Sequence, residues 1–273
     1  MVEYEIKPAT KLNLGVKELW KYRELFYYYT WRDIKVRYKQ TFFGFAWAVI
    51  QPILMMVLFT FFFGKKLGVP SDSTPYPIFV FSGLLLWNIF STGLSAASNS
   101  ILNNAHIIKK IYFPRLIIPL SSVMVTLFDF LMALSIYFIL LAYYGVSVNV
   151  LSFTGSLLLA VLITALSTFG IGTYLAALNI KYRDFKYVIP YTIQILLFVS
   201  PVIYPVSIVT NQWAKYLLAI NPLSGAITLL RSSISDVPLD WNMVLISFCF
   251  AIIYFLAGIL YFKKSESYFA DLS

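Results

Sequence analysis

The sequence predicts an all-α integral membrane fold. It has six transmembrane helices, an N-terminal amphipathic helix at the interface, and an external re-entrant helical hairpin between spans five and six. Three observations predict it. Of 273 residues, 60% are hydrophobic and only 12% charged, with a mean hydropathy of +0.78. A water-soluble domain of this size needs more polar surface, so the apolar excess must meet lipid. Second, Gln40–Gly64, Ser73–Ala105, Phe130–Ile180, Tyr187–Ala214 and Trp241–Phe262 contain no Lys, Arg, Asp or Glu. A helix needs about 20 apolar residues to cross about 30 Å of hydrocarbon, and Phe130–Ile180 is long enough for two crossings. Third, a six-span arrangement puts seventeen Lys and Arg on one side and four on the other. That bias places both termini in the cytoplasm.

Residues 1–39 form a cytoplasmic N-terminal segment, charged and aromatic, without the short apolar core and cleavage site of a signal peptide. Within it, Asn13–Lys39 reads as a helix. At 100° per residue, Val16, Leu19, Trp20, Phe26, Tyr27, Thr30, Trp31 and Ile34 share one face. Lys17, Lys21, Glu24, Arg32 and Lys35 share the other, and Arg23 intrudes on the apolar side. Such a helix suits a membrane surface. Residues 40–262 form the transmembrane domain. Its spans fall at about 42–63, 78–97, 116–143, 153–178, 188–205 and 243–262, and residues 263–273 form a cytoplasmic tail. A basic loop ending at Pro114 separates spans two and three, and a turn at Gly145–Asn149 separates three and four. The run Tyr216–Leu230 is broken by Asn221-Pro222 and Ser224-Gly225. It is too short for a span and reads as a hairpin dipping into one leaflet, where irregular backbone must be covered by protein or a water cavity. Counting it as a seventh span would put Lys263 and Lys264 outside, against the charge bias.

Several chemistries are missing. There is no GxxxxGK[ST] phosphate loop, so ATP is not bound here by that route. His106 is the only histidine and Cys249 the only cysteine, which argues against Ser–His–Asp catalysis, a His-rich metal site or an internal disulfide. The net charge of +9 is explained by membrane orientation rather than by nucleic acid. The chain reads as a pathway whose energy source lies elsewhere.

Asp129 stands among apolar residues in the third span, and no cation in the spans offers itself as a partner. It reads either as a protonated acid bonded to a neighbouring helix or as a channel-lining or proton-relay group. A proton-coupled carrier built on Asp129 is the rival functional reading. A membrane transferase is a weaker one, because the external acids Asp72, Asp236 and Asp240 make no catalytic arrangement. The chain carries 20 Tyr, 24 Phe and 6 Trp. Tyr and Trp can stack on sugar rings while their polar edges hydrogen-bond, although an interfacial aromatic belt is the plainer account of any single one.

One series of motifs runs in order along the chain. Arg37-Tyr38-Lys39-Gln40-Thr41 is followed by Gly44, Trp47 and Gln51-Pro52, then by Gly83, Trp87 and Phe90. Lys109-Lys110-Ile111-Tyr112-Phe113-Pro114-Arg115 with Pro119 is the most specific piece. Arg183-Asp184, Ser200-Pro201-Val202-Ile203-Tyr204, Asn221-Pro222 and Arg231 complete it. Over about Leu25 to Lys264 the chain resembles the membrane subunit of ABC-type polysaccharide exporters, the type-2 permeases that move O-antigen, capsule or teichoic acid chains. The resemblance implies a homodimer in the bacterial inner membrane with a channel on the dimer axis. Two ATP-binding cassette subunits would sit beneath it, holding the ATP and Mg, so this chain would need no cofactor of its own and would not be an enzyme. The substrate would be a lipid-linked glycan. The resemblance assigns coupling to the ATPase to Asn104, His106, Lys109, Lys110, Tyr112, Phe113 and Arg115. It assigns the interface helix to Trp20, Arg23, Tyr27 and Trp31. It raises Tyr28, Tyr38, Phe42, Trp47, Asp129, Tyr191 and Tyr204 as channel-lining candidates.

Overall fold

A computed structural model describes residues 16–39, 46–182, 184–235 and 237–266. Among them all regular structure is helical. Two N-terminal helices, α1 (Val16–Lys21) and α2 (Arg23–Lys39), precede α3 (Ala46–Phe59), which continues as a π-helical stretch to Lys66. The long helices α4 (Tyr76–Asn103), α6 (Ile117–Tyr143), α7 (Val150–Lys181) and α11 (Trp241–Ser265) form the body, and the single turn α5 (Ala105–Ile108) follows α4. Helix α8 (Phe185–Val199) is followed by two short helices, α9 (Gln212–Ala219) and α10 (Pro222–Ser232). Among the described residues, five helical segments are long and apolar enough to cross a membrane: Ala46–Lys66, Tyr76–Asn103, Ile117–Tyr143, Val150–Lys181 and Trp241–Ser265.

The starts of these helices follow from local chemistry. The Asn149 side chain accepts from the backbone N–H groups of Leu151 and Ser152, and Asp240 accepts from those of Asn242 and Met243. Asn221 accepts from Leu223 N–H, and Pro222 beside it needs no partner for an absent N–H. Helix α6 stops at a turn where Gly145 takes φ +64°, a conformation that favours glycine.

Helix α4 is the hub. It packs on α6, α7, α3 and α10, and 78% of its most apolar window is buried, against 17% for α3. Phe81, Tyr137 and Phe153 stack across α4, α6 and α7 in the middle of this core. Helix α3 is therefore peripheral, and so is α8, which touches α4 and α7 only lightly.

Two sequence expectations change here. The fifth apolar segment, expected over 188–205, is helical only to Val199, fifteen residues or about 22 Å of helix. Pro201 sets the limit: the residue before a proline is driven out of the α region, and Ser200 is extended with ψ 142°. The single apolar face expected over Asn13–Lys39 is divided. Tyr29, Ile34 and Tyr38 turn inward, with Leu19, Tyr22 and Phe26 partly buried against the cluster that Tyr29 joins, whereas Trp20, Tyr27 and Trp31 are exposed.

Candidate functional site

Two groups of side chains carry the chemistry, one at the loop after α4 and one in a cavity between helices. The first is assembled from three distant parts of the chain. Asn104, buried where α4 ends, donates to Ser100 O (2.8 Å) and accepts from Arg32 Nη2 on α2 (3.0 Å). Arg32 also holds Asp33 at 2.7 Å and lies 4.5 Å from the Tyr29 ring centre. Tyr29 in turn meets Phe113, ring centres 5.9 Å apart, and both rings are buried. Arg115 donates to the backbone carbonyl of Glu266 just beyond α11. Burial pushes the Glu266 carboxyl up, opposed by the neighbouring Arg115 and Lys263 charges. The 104–115 segment is thus held by a buried aromatic and two arginines. His106, Lys109, Lys110 and Tyr112 are left exposed, and the last three border a depression of about 190 Å³.

On α2, Tyr27 and Trp31 stack with ring centres 6.5 Å apart and planes 7° from parallel. Lys35 Nζ lies 5.3 Å from the Trp31 ring centre, and the Arg23 guanidinium 5.9 Å from that of Trp20. Trp20, Arg23, Tyr27 and Trp31 therefore form one exposed aromatic and cationic stripe. Cation–π pairs of this exposed kind contribute about 0.5–1 kcal/mol each.

The second group lines a cavity of about 410 Å³ between α2, α3, α4 and α6. Here Asp129 is not alone. Arg37 Nη1 stands 2.5 Å from its Oδ2, and the Tyr38 hydroxyl donates to Oδ1. The absence of a cation within the spans had left Asp129 unpartnered in sequence. The partner instead comes from the end of α2, 92 residues away. Burial raises the Tyr38 hydroxyl well above its ordinary pKa, and the hydrogen bond to Asp129 adds to this, so Tyr38 stays a donor.

Of the channel-lining candidates, Tyr38, Trp47 and Asp129 share this cavity. Tyr28 and Tyr191 are exposed elsewhere, and Tyr204 donates to Val199 O at 2.9 Å. Phe42 lies outside the described residues. Sequence reasoning missed four participants. Arg32 and Tyr29 fasten the loop, and Gln51 and Asn88 supply amides to the cavity. Gln51 and Arg37 sit in the motif series, but no local pattern brings Asn88 of α4 to them.

Five long apolar helices, the buried hub α4 among them, with basic and aromatic groups gathered at the α2–loop seam, define a polytopic helical membrane protein. Residues 24–235 match the ABC-2 type transporter family, and the chain belongs to that family. It is 29% identical to the O-antigen export system permease protein RfbA of Klebsiella pneumoniae over 241 residues, 88% of this chain and 92% of that protein. It is 31% identical over 218 residues to the protein of the same name from Myxococcus xanthus, covering 78% and 81%. The polysialic acid transport protein KpsM of Escherichia coli is 23% identical over 207 residues, covering 74% and 78%.

Proposed function

We propose that this chain is the permease subunit of an ATP-driven exporter that moves a lipid-linked polysaccharide across the bacterial inner membrane. The observation that carries the reading is near-full-length similarity to O-antigen export permeases within the ABC-2 family. The working unit is a homodimer with a channel on its axis, bound to two ATP-binding cassette subunits that carry ATP and Mg. Helix α8 with the following turn makes the fifth of six crossings. Helices α9 and α10 form the external re-entrant hairpin, both termini are cytoplasmic, and α1–α2 lies at the cytoplasmic interface.

In this reading the 104–115 segment receives the ATPase motion. Its exposed Lys109, Lys110 and Tyr112 supply contact, and Phe113 passes displacement to α2 through Tyr29. Arg32, bonded to Asn104, makes the same link by a polar route. From α2, the Arg37–Asp129 pair leads to α6. Each link is a contact able to favour one arrangement over another, which is what a nucleotide-driven two-state change requires. A proton carrier is not favoured, because Asp129 is held by a guanidinium and a phenol rather than standing as an isolated acid.

Co-expression with the ATP-binding subunit of the same organism tests this. A purified assembly of two permeases and two ATPases, with export of glycan on ATP addition, is expected. Phe113→Ala should preserve assembly while cutting ATP-driven export by about tenfold, the effect of losing roughly 1.4 kcal/mol of coupling. A chain that transports without any ATPase, or a Phe113→Ala variant with unchanged export, would overturn the reading.

A further inference from the structure

The cavity between α2, α3, α4 and α6 has a chemically selective lining. Its polar groups are Arg37, Tyr38, Gln51, Asn88 and Asp129, besides the hydroxyls of Thr92 and Thr126, and Trp47 supplies an aromatic ring. Among the described residues, Arg37 and Asp129 are the only charged ones in the lining, and they neutralise each other at 2.5 Å. Both remain in part open, with 42% and 21% of their side chains exposed. Asn88 bonds through its backbone carbonyl, which accepts from Thr92 Oγ1, and its side-chain amide makes no hydrogen bond to another described residue. The Gln51 amide on α3 is likewise exposed and makes none to a described residue.

We propose that this cavity is a binding site for a neutral sugar unit, and that it discriminates against the phosphate groups of a lipid-linked substrate. The inference rests on the glycan-export reading and names which part of the substrate the site takes. Four features point to it. The volume, about 410 Å³, lies in the lower part of the range for small-molecule sites, about 300–1,000 Å³, and suits a short sugar segment rather than a polymer. Trp47, about half exposed, brings an indole into the lining, and indoles pack well on the C–H side of sugar rings. The amides of Gln51 and Asn88 each offer donors and an acceptor, and the ion pair offers more of both, so hydroxyls of either polarity are served. Finally, a diphosphate would have to take Arg37 from Asp129. That leaves a half-buried carboxylate facing added negative charge, an arrangement both repulsive and costly to desolvate. In this account Asp129 acts as the neutralising partner that makes Arg37 a sugar donor instead of an anion site.

Removing the carboxylate charge should open the cavity to phosphate. The full-length chain in lipid nanodiscs is probed with neutral disaccharides by saturation-transfer NMR, and with inorganic pyrophosphate by phosphorus line broadening. The parent protein should show disaccharide transfer and no pyrophosphate broadening. Trp47→Ala and Asn88→Leu should each weaken disaccharide binding about fivefold or more, the loss of a stacking or hydrogen-bond contribution near 1 kcal/mol. Asp129→Asn should gain pyrophosphate binding, and Arg37→Gln added to it should remove that gain. Thermal melting of each variant checks folding. Gln51→Leu, on a peripheral and exposed position, gives a second weakening variant should Asn88→Leu melt early, and an Asp129→Asn protein that melts like the parent yet gains no pyrophosphate binding would overturn the proposal. Pyrophosphate broadening in the parent, no disaccharide transfer to the parent, or transfer that ignores Trp47→Ala and Gln51→Leu, would overturn the proposal. If ATP-driven glycan export is meanwhile intact, only this inference fails. If export with the ATPase partner is absent, the underlying reading fails first.

Discussion

Arg231 shows how much one residue can organise. It is buried on α10, and its guanidinium donates to four backbone carbonyls: Pro201 (2.7 Å), Val202 (2.7 Å), Phe79 (3.0 Å) and Tyr204 (3.3 Å). The same group lies 3.5 Å from the Phe79 ring centre. The need for it originates in Pro201, which ends α8 and leaves a tight turn whose carbonyls have no helical partners. Arginine answers with five donors in a planar fork, and lysine has no such fork. Gly83 on α4 completes the fit, since a Cβ there would lie 2.9 Å from Arg231 Nη2 and 3.1 Å from the Val202 backbone. Arg231→Ala should therefore cost about 3 kcal/mol or more, because buried carbonyls left unpaired cost about 1–3 kcal/mol each. Arg231→Lys should recover only part of this. Thermal unfolding of the detergent-solubilised protein is the measurement, with Lys110→Ala as an exposed control that stays within about 0.5 kcal/mol. Equal melting temperatures for Arg231→Ala and the parent would mean that water, rather than the guanidinium, satisfies these carbonyls.

At the scale of elements, the long helices were legible because length and apolarity decide them. The windows about 78–97, 153–178 and 243–262 fall inside α4, α7 and α11, which extend them by a few residues, and 116–143 matches α6 to within one residue. What was not legible is what those helices do to each other. Trp20 and Tyr27 share a helical face with Phe26 in a wheel, yet only packing decides which of two adjacent apolar stripes turns inward. The Arg37–Asp129 pair links positions 92 residues apart and leaves no periodic trace. The small residues of the fourth span illustrate the same limit: Ala160, Thr164, Gly170 and Gly172 permit close approach in general. The structure assigns the closest approach to Gly170 against α11. A Cβ at Gly258 would sit 1.9 Å from Gly170 O, and one at Gly170 would sit 2.5 Å from the Phe255 backbone. Both obstacles are main chain and cannot rotate away. Gly258→Ala should thus force α7 and α11 apart and lower stability by about 3 kcal/mol, in the class of overpacking changes. Gly155→Ala, on the same α7 but with nothing within 4 Å, should be neutral or slightly stabilising. Melting curves of the two variants side by side decide it; similar destabilisation by both would locate the effect in the glycine backbone rather than in the crossing.

For the molecule as a whole, the unevenness of its apolar exterior matters most. Helix α7 turns Leu151, Leu158 and Leu162 outward, an aliphatic surface of the kind lipid covers without specificity. Helix α8 turns out Tyr187, Tyr191 and Phe198 beside Val188 and Ile195, and the π-helical continuation of α3 turns out Phe61 and Phe62. These two helices are also the least enclosed by the rest of the bundle. The phenol groups of Tyr187 and Tyr191 gain less from acyl chains than aliphatic side chains do, and the rings beside them can also pack on other rings. They suit a facing protein surface or a polar conduit, where ring edges and phenol groups find partners. If the proposed homodimer forms through this side, position 191 of one copy comes near its equivalent or near α3 of the other, whereas position 158 faces bilayer. With Cys249 replaced by serine to remove the one native thiol, Tyr191→Cys should give a disulfide-linked or bis-maleimide-linked dimer in native membranes. Leu158→Cys, equally exposed on the single chain, should remain monomeric under the same oxidation. The opposite pattern would move the dimer seam to the aliphatic side. It would then leave the aromatic faces of α3 and α8 turned to lipid, which would remove the conduit between two copies and with it the path proposed for the glycan.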